Sequence, residues 1–285
     1  MPDSRYSDLD RPPLSATALN RALVRPGSLW TGVTVVERTG STNADLAGAA
    51  KEGAAEGTVL VAEAQEAGRG RLGRSWTAPP RSGLTFSVLL RPRVPVAALG
   101  WLPLLYGVAA ASAVRRLAEV DVRLKWPNDL LIGERKLAGV LAERADDAVV
   151  VGMGLNVSLR ADELPVATAT SLAVEEGACL DRDPLLRAVL REVESHYQEW
   201  TAAGGDAEAC GLRPAYLAAS ATVGRRVRVE LPGESVLIGK ATGIDAAGHL
   251  QVESEAGDAG TGAGEGGGRR YTLSAGDVVH VRPAE

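Results

Sequence analysis

Apolar and polar positions alternate along this chain in two distinct rhythms. In the first two thirds, short apolar runs of strand length are interleaved with helical spacings. "LSATALNRALV" (14–24) reads as a short helix, and residues 1–13 before it as a mobile tail. "GVTVVERTGSTNADLAGAA" predicts a strand ending near Glu37, a loop, and a helix starting at Thr42 or Asn43, both acceptable N-caps. "GTVLVAEAQ" (57–65) and "GLTFSVLLRP" (83–92) read as strands, the second stopped by Pro92. A long helix is predicted over 99–118, strand–turn–strand over 122–143 with a turn around Gly133, and one more β-rich run over 149–157. The clearest helix is "DPLLRAVLREVESHYQEW" (183–200). Asp183 is expected to cap it, Pro184 sits in its first turn, and Leu186, Val189, Leu190, Val193, Tyr197 and Trp200 share one face.

Near Ala221 the rhythm changes to short strands at close spacing, separated by Gly, Pro and Asp turns. That pattern predicts a small β-barrel, interrupted by a flexible glycine-rich hairpin insert at 256–268. The expected layout is a tail and short helix over 1–28, an α+β domain over 29–220 with a mixed sheet and flanking helices, and a small all-β domain over 221–285. The uncharged stretch from Val94 to Val114 is long enough to test as a membrane span. Pro95, Gly100, Pro103 and Gly107 interrupt it, so a buried core helix is expected and no membrane association.

Composition narrows the classes further. A chain of 285 residues with 45% hydrophobic content can bury one large core and a small one. A net charge of −5 argues against broad nucleic-acid binding but is compatible with a local basic site. Cys179 and Cys210 lie far apart, and His196, His249 and His280 are scattered, so neither a zinc site nor a disulfide framework is expected. With no signal-peptide pattern in the first 28 residues, a cytoplasmic location is expected.

The candidate chemistry starts at "EAQEAGRGRLGRSW" (63–76). Gly68, Gly70 and Gly73 satisfy G-x-G-x-x-G, the dinucleotide pattern, which needs a helix opening inside the motif and an acid about 20 residues on. Pro79 and Pro80 prevent that helix, and Arg91 and Arg93 stand where the acid should be. A glycine loop with Arg69, Arg71 and Arg74 in its gaps makes a different site. The backbone approaches a ligand closely, and guanidinium groups grip phosphate or carboxylate in bidentate fashion.

"GRGRLGRSW" resembles the signature loop of biotin–protein ligases. "GSTNADL", "KWPNDLLIGERKLAGVLAE" and "VVVGMGLNV" are similar to further blocks of that family, in the same order, over roughly residues 34–158, and "LSAGDVVHVRP" is similar to its terminal strands. The resemblance implies a class II synthetase-like catalytic domain with a C-terminal SH3-like barrel, acting without an N-terminal DNA-binding module. It implies that biotin is activated by ATP, carried with Mg2+, as biotinyl-5′-AMP and passed to a lysine of a biotin carboxyl carrier domain.

By the same resemblance, Lys136 reaches the biotin carboxylate and the α-phosphate, while Arg69 and Arg71 lie over the adenylate. Ser41, Thr42, Asn43, Gln65, Gly68, Gly70 and Gly139 complete a biotin site; Arg74, Trp76, Lys125, Asn128 and Asn156, the last in a "GMGLN" turn, face the nucleotide. Asp129 is the hypothetical proton acceptor of the transfer step, since a free lysine arrives protonated. Asn128 and Asp129 are candidate neighbours of magnesium, with no resident metal site expected. Two alternatives remain open. A lipoate–protein ligase shares the fold and the two-step chemistry. A biotin-sensing repressor is disfavoured because only forty residues, without a basic recognition helix, precede Ser41. DNA is therefore not an expected partner, whereas a homodimer through an edge strand is compatible with the layout.

Overall fold

A computed structural model describes residues 10–230, 236–254, 268–274 and 277–280; the expected tail up to residue 9 and the glycine-rich insert up to residue 267 lie outside them. Helix α1 (Ala16–Leu23) leads into β1 (Gly32–Val36), α2 (Thr42–Lys51), β2 (Thr58–Ala62) and β3 (Gly83–Leu90). Helix α3 (Trp101–Ala118), β4 (Val122–Lys125), β5 (Asp129–Ile132), β6 (Arg135–Ala145) and β7 (Ala148–Asn156) follow. Helices α4 (Arg182–Ala202) and α5 (Leu212–Ala219) then lead to β8 (Arg226–Glu230), β9 (Val236–Ile244), β10 (Leu250–Ser254), β11 (Arg270–Leu273) and β12 (Asp277–His280).

The first seven strands form one mixed sheet in the order β1-β2-β3-β7-β6-β5-β4, with only β1 and β2 parallel. Strand alternation sorts its two faces. Leu60, Leu89 and Val150 point to the face that α2 covers with Leu46 and Ala50. Val59, Val88 and Val151 point to the other, where α3 and α4 supply the main core. Helix α3 carries the uncharged stretch and passes a length-and-hydropathy test for a membrane span, but thirteen of its residues are buried against the sheet and α4. The last five strands form an antiparallel sheet in the order β11-β10-β9-β8-β12, and their apolar residues join the same core.

Three local expectations are corrected. Residues 122–145 hold three strands, because the 125–129 segment, with its cis Trp126–Pro127 bond, is itself a reversal between β4 and β5. Asp181, not Asp183, caps α4 by accepting from the Asp183 amide. "GMGLN" is strand, not turn: Gly152 and Gly154 are fully paired with β3 and β6.

Two edges of the main sheet are covered. Asn20 of α1 both donates to the Val33 carbonyl and accepts from the Val33 amide, as a neighbouring strand would. At the far edge, Ser220 bridges Leu124 in parallel and Ala221 N–H donates to the Leu124 carbonyl. The glycine–arginine segment leaves β2 beside a buried ion pair. Arg182 and Glu63 meet at 2.5 Å with side chains 5% and 4% exposed, and Arg182 also donates to the Pro12 carbonyl, while Glu63 accepts from the Leu14 amide. Arg182→Met leaves that carboxylate buried without its cation, and the expected loss is about 3–5 kcal/mol, read as a lowered urea midpoint at unchanged slope.

Candidate active site

The cleft is built on a line of residues set by strand register. Lys125 pairs with Asp129, Asp129 with Gly139, Gly139 with Gly154, and Gly154 with Thr85. Directly opposed residues share a sheet face, so all five look to the same side. They line a cleft on the part of the α2 face that this ten-residue helix leaves bare.

The glycines of this row are required by what lies on them. A Cβ on Gly154 would come within 2.2 Å of the Trp76 indole, and one on Gly152 within 2.1 Å of the Asn43 Oδ1. Gly139 sits under the Lys136 ammonium and the edge of the same indole. Lys136 itself should face the opposite side, three residues from Gly139 in an alternating strand. A β-bulge prevents this: Ala138 opposes Leu130 and Lys136 opposes Leu131, so Leu137 is the extra residue and is fully buried. The bulge brings the Lys136 Nζ onto the cleft face, 2.7 Å from Asp129 Oδ1 and 5.8 Å from the Trp76 ring centroid. The segment 168–170 holds the backbone there, with Lys136 N–H donating to the Thr168 carbonyl and Thr170 N–H to that of Lys136.

The glycine–arginine loop is a stitched hairpin, not an open flap. Trp76 N–H donates to the Gly68 carbonyl, Gly70 N–H to that of Arg74, and Arg69 pairs with Ser75. Its tip turns through Leu72 and Gly73, both at positive φ, and Leu72 stands exposed. Gly68 has the hairpin's tightest crossing, since a Cβ there would meet the Trp76 carbonyl at 2.3 Å. Gly68 therefore shapes the loop without lining the cleft, whereas Gly70, Arg69, Arg71, Arg74 and Trp76 line it.

At the other end, Ser41 caps α2. Gln65 Oε1 accepts from the Thr42 amide and hydroxyl, and the Ser87 hydroxyl lies 2.7 Å from Thr42 Oγ1 and 2.6 Å from Asn43 Oδ1. Asn43 Nδ2 donates to Glu143 at 2.7 Å, and Glu143 faces Arg69 at 3.7 Å. Ser41, Thr42, Asn43 and Gln65 all line the cleft. Asn128 Oδ1 accepts from Arg71 at 3.4 Å and its Nδ2 donates to the Val140 carbonyl. Asp129 is paired with Lys136. Among the described residues no group of three or more His, Cys, Asp or Glu side chains forms a metal cage.

Besides Gly68, one more expected residue is not brought to the cleft. Asn156 is buried and its amide donates to the Thr170 carbonyl, because β7 carries it past the cleft floor. Conversely, Thr85, Ser87, Gly152 and Glu143 belong to the site or hold it and were not singled out. Their signal is period two: Thr85 and Ser87 are polar at alternate positions of an apolar strand, as Gly152 and Gly154 are bare at alternate positions of β7.

The cleft wall carries five cationic side chains, Arg69, Arg71, Arg74, Lys125 and Lys136, against one carboxylate, Asp129. A preorganised cationic cleft with a hydrogen-bonding polar end fits an anionic small molecule with an uncharged polar head. Gly154→Ala is expected to push the Trp76 ring off the floor: in a spectrum of tryptophan indole N–H groups the Trp76 signal moves, while those of buried Trp30, Trp101 and Trp200 stay.

Comparison with known proteins agrees with this geometry. The model of the biotin/lipoate A/B protein ligase family matches residues 35–158, and that of the biotin protein ligase C-terminal domain matches residues 222–281. A biotin–[acetyl-CoA-carboxylase] ligase of Mycobacterium tuberculosis is 44% identical over 277 residues, covering 95% of this chain and 97% of that protein. The bifunctional ligase/repressor BirA of Escherichia coli is 34% identical over 232 residues, 78% of this chain and 68% of that one. The solved biotin protein ligase of Aquifex aeolicus in complex with biotin and ATP superposes with a TM-score of 0.73 at 28% identity, covering 88% of this chain and all of that one. The chain belongs to the biotin/lipoate A/B protein ligase family, as one of its biotin protein ligases.

Proposed function

We propose that this biotin protein ligase works in two steps within the one cleft. A carboxylate oxygen of biotin attacks the α-phosphorus of ATP, forming a C–O–P bond and expelling pyrophosphate. The ε-amine of a lysine on a biotin carboxyl carrier domain then attacks the acyl carbon, AMP leaves with its oxygen, and the amine gives up a proton. Magnesium enters as the counter-ion of ATP. The reaction is assigned to the cytosol, in keeping with the two free thiols, Cys179 and Cys210.

The observation that carries this reading is the juxtaposition of Lys136, the hairpin arginines and a polar pocket on one face of the sheet. The ureido head of biotin offers two donors and a carbonyl acceptor, which suit the Ser41, Thr42, Asn43 and Gln65 end. The apolar ring and chain suit the Trp76 indole that lies on Gly154. The carboxylate would then reach Lys136, with Arg69, Arg71, Arg74 and Lys125 left for the phosphates. Fixed cations at the point where negative charge develops supply most of the catalysis in such a step.

Asp129 gains a duty that the sequence alone did not suggest. Besides serving as proton acceptor in transfer, it orients the Lys136 ammonium through their 2.7 Å pair.

Pyrophosphate release with biotin and ATP, measured with and without a carrier domain, tests the whole reading. Lys136→Met is expected to slow adenylate formation by about a hundredfold or more, the worth of one preorganised donor. Asp129→Ala is expected to slow both half-reactions, whereas selective loss of transfer would leave it the proton-removal role alone. Lipoate in place of biotin is expected to give no pyrophosphate, since it has no ureido group for the polar end; equal turnover of both would overturn the assignment of that end.

A further inference from the structure

The segment Lys125–Asp129 brings the polar side chains of Lys125, Asn128 and Asp129 to the cleft, and its first turn amide, Trp126 N–H, is held from the C-terminal domain. That amide is buried and lies outside the strand ladder. It donates to Thr222 Oγ1 at 3.1 Å, in the linker that covers the β4 edge. Thr222 is fully buried and its Oγ1 lies 3.2 Å from His280 Nε2, on the last described strand of the chain.

A hydroxyl has one proton to give. Having accepted from Trp126, Thr222 has one acceptor for its own proton among the described residues, His280 Nε2. In the tautomer that takes this proton, Nε2 is bare and Nδ1–H lies 3.5 Å from Glu134 Oε2, with Arg225 Nη1 at the same distance. Burial, then the charges of Lys125 and Arg225, push the His280 pKa below its ordinary value, with Glu134 opposing. The charged groups facing the ring are Lys125 of β4, Glu134 of the β5–β6 turn and Arg225 before β8. A protonated ring would take away the Thr222 acceptor and set a positive charge beside Lys125.

We propose that His280, acting through Thr222, is a positioning residue for the nucleotide end of the cleft. It holds the Trp126 amide, and so keeps Lys125, Asn128 and Asp129 presented to ATP. The inference rests on the assignment of that end to the phosphates, made above. The last strand of the small domain thus becomes part of the catalytic apparatus without touching substrate.

The test is pyrophosphate release with ATP and biotin varied separately over roughly pH 5 to 8, for the full chain, Thr222→Val, Thr222→Ser and His280→Gln, with melting temperatures alongside. Thr222→Val keeps the shape and removes the hydroxyl; it is expected to raise the KM for ATP up to about tenfold, the worth of one buried hydrogen bond, and to leave the biotin KM where it was. Thr222→Ser restores the ATP KM. In the unaltered chain the ATP KM rises as pH falls below about 6.5, the ordinary histidine value. His280→Gln offers a carbonyl acceptor that cannot titrate, so its acid limb is expected to vanish.

A merely structural role would lower Vmax with the folded fraction and leave both KM values unchanged. That result, equal rises in both KM values, or an acid limb retained by His280→Gln overturns the inference alone. An unaltered chain that releases no pyrophosphate overturns the functional reading and this inference with it.

Discussion

Everything in the cleft depends on strand register. Lys125, Asp129, Gly139, Gly154 and Thr85 fall on one line across five strands, and a one-residue slip anywhere along it would turn a member to the opposite face. The apolar residues between them fix that register: Val149, Val151 and Leu155 must point toward α3 and α4, which leaves Gly152 and Gly154 pointing the other way. The catalytic floor is thus the reverse side of the hydrophobic core. The bulge at Leu137 is the one planned break in the alternation. It spends a single buried leucine to move a lysine from the core side to the cleft side.

Three cations of this floor touch polar partners on or beside the cleft. Arg69 faces Glu143 at 3.7 Å, Arg71 contacts Asn128 at 3.4 Å, and Lys136 rests on Asp129. An arriving anion can replace these contacts without assembling the site anew, so little reorganisation is left for the moment of reaction. Glu143 matters doubly, since it also fixes Asn43 from below. The arginine hairpin and the polar pocket are therefore coupled through one carboxylate that neither motif contains.

Much of this was legible in the sequence, and for a physical reason. Residues whose task depends on their own chemistry, such as Lys136, Asp129 and the hairpin arginines, sit in recognisable blocks and lie on the cleft. The long helix and the face of α4 formed by Leu186 through Trp200 were readable because their apolar spacing is what buries them. What stayed hidden depends on pairing between distant strands. Asn156 was assigned to the nucleotide because its glycine neighbours suggested a turn; those glycines are bare because Trp76 and Asn43 lie on the strand. Ser87 and Thr85 look like ordinary strand residues until β3 is set beside β7. The three-strand course of 122–145 was missed because four-residue strands carry too little periodicity to separate from a turn.

The linker at Ser220–Thr222 links the two sheets more closely than a tether would. It closes the rim of β4, and beyond it the small domain accepts the indole protons of Trp101 and Trp126 at the Ala246 and Gly248 carbonyls. A chain cut after α5 would show water an open strand rim and two indoles without acceptors. Such a fragment should clump with its own copies, so protein engineering of this enzyme has to treat the two sheets as one indivisible body.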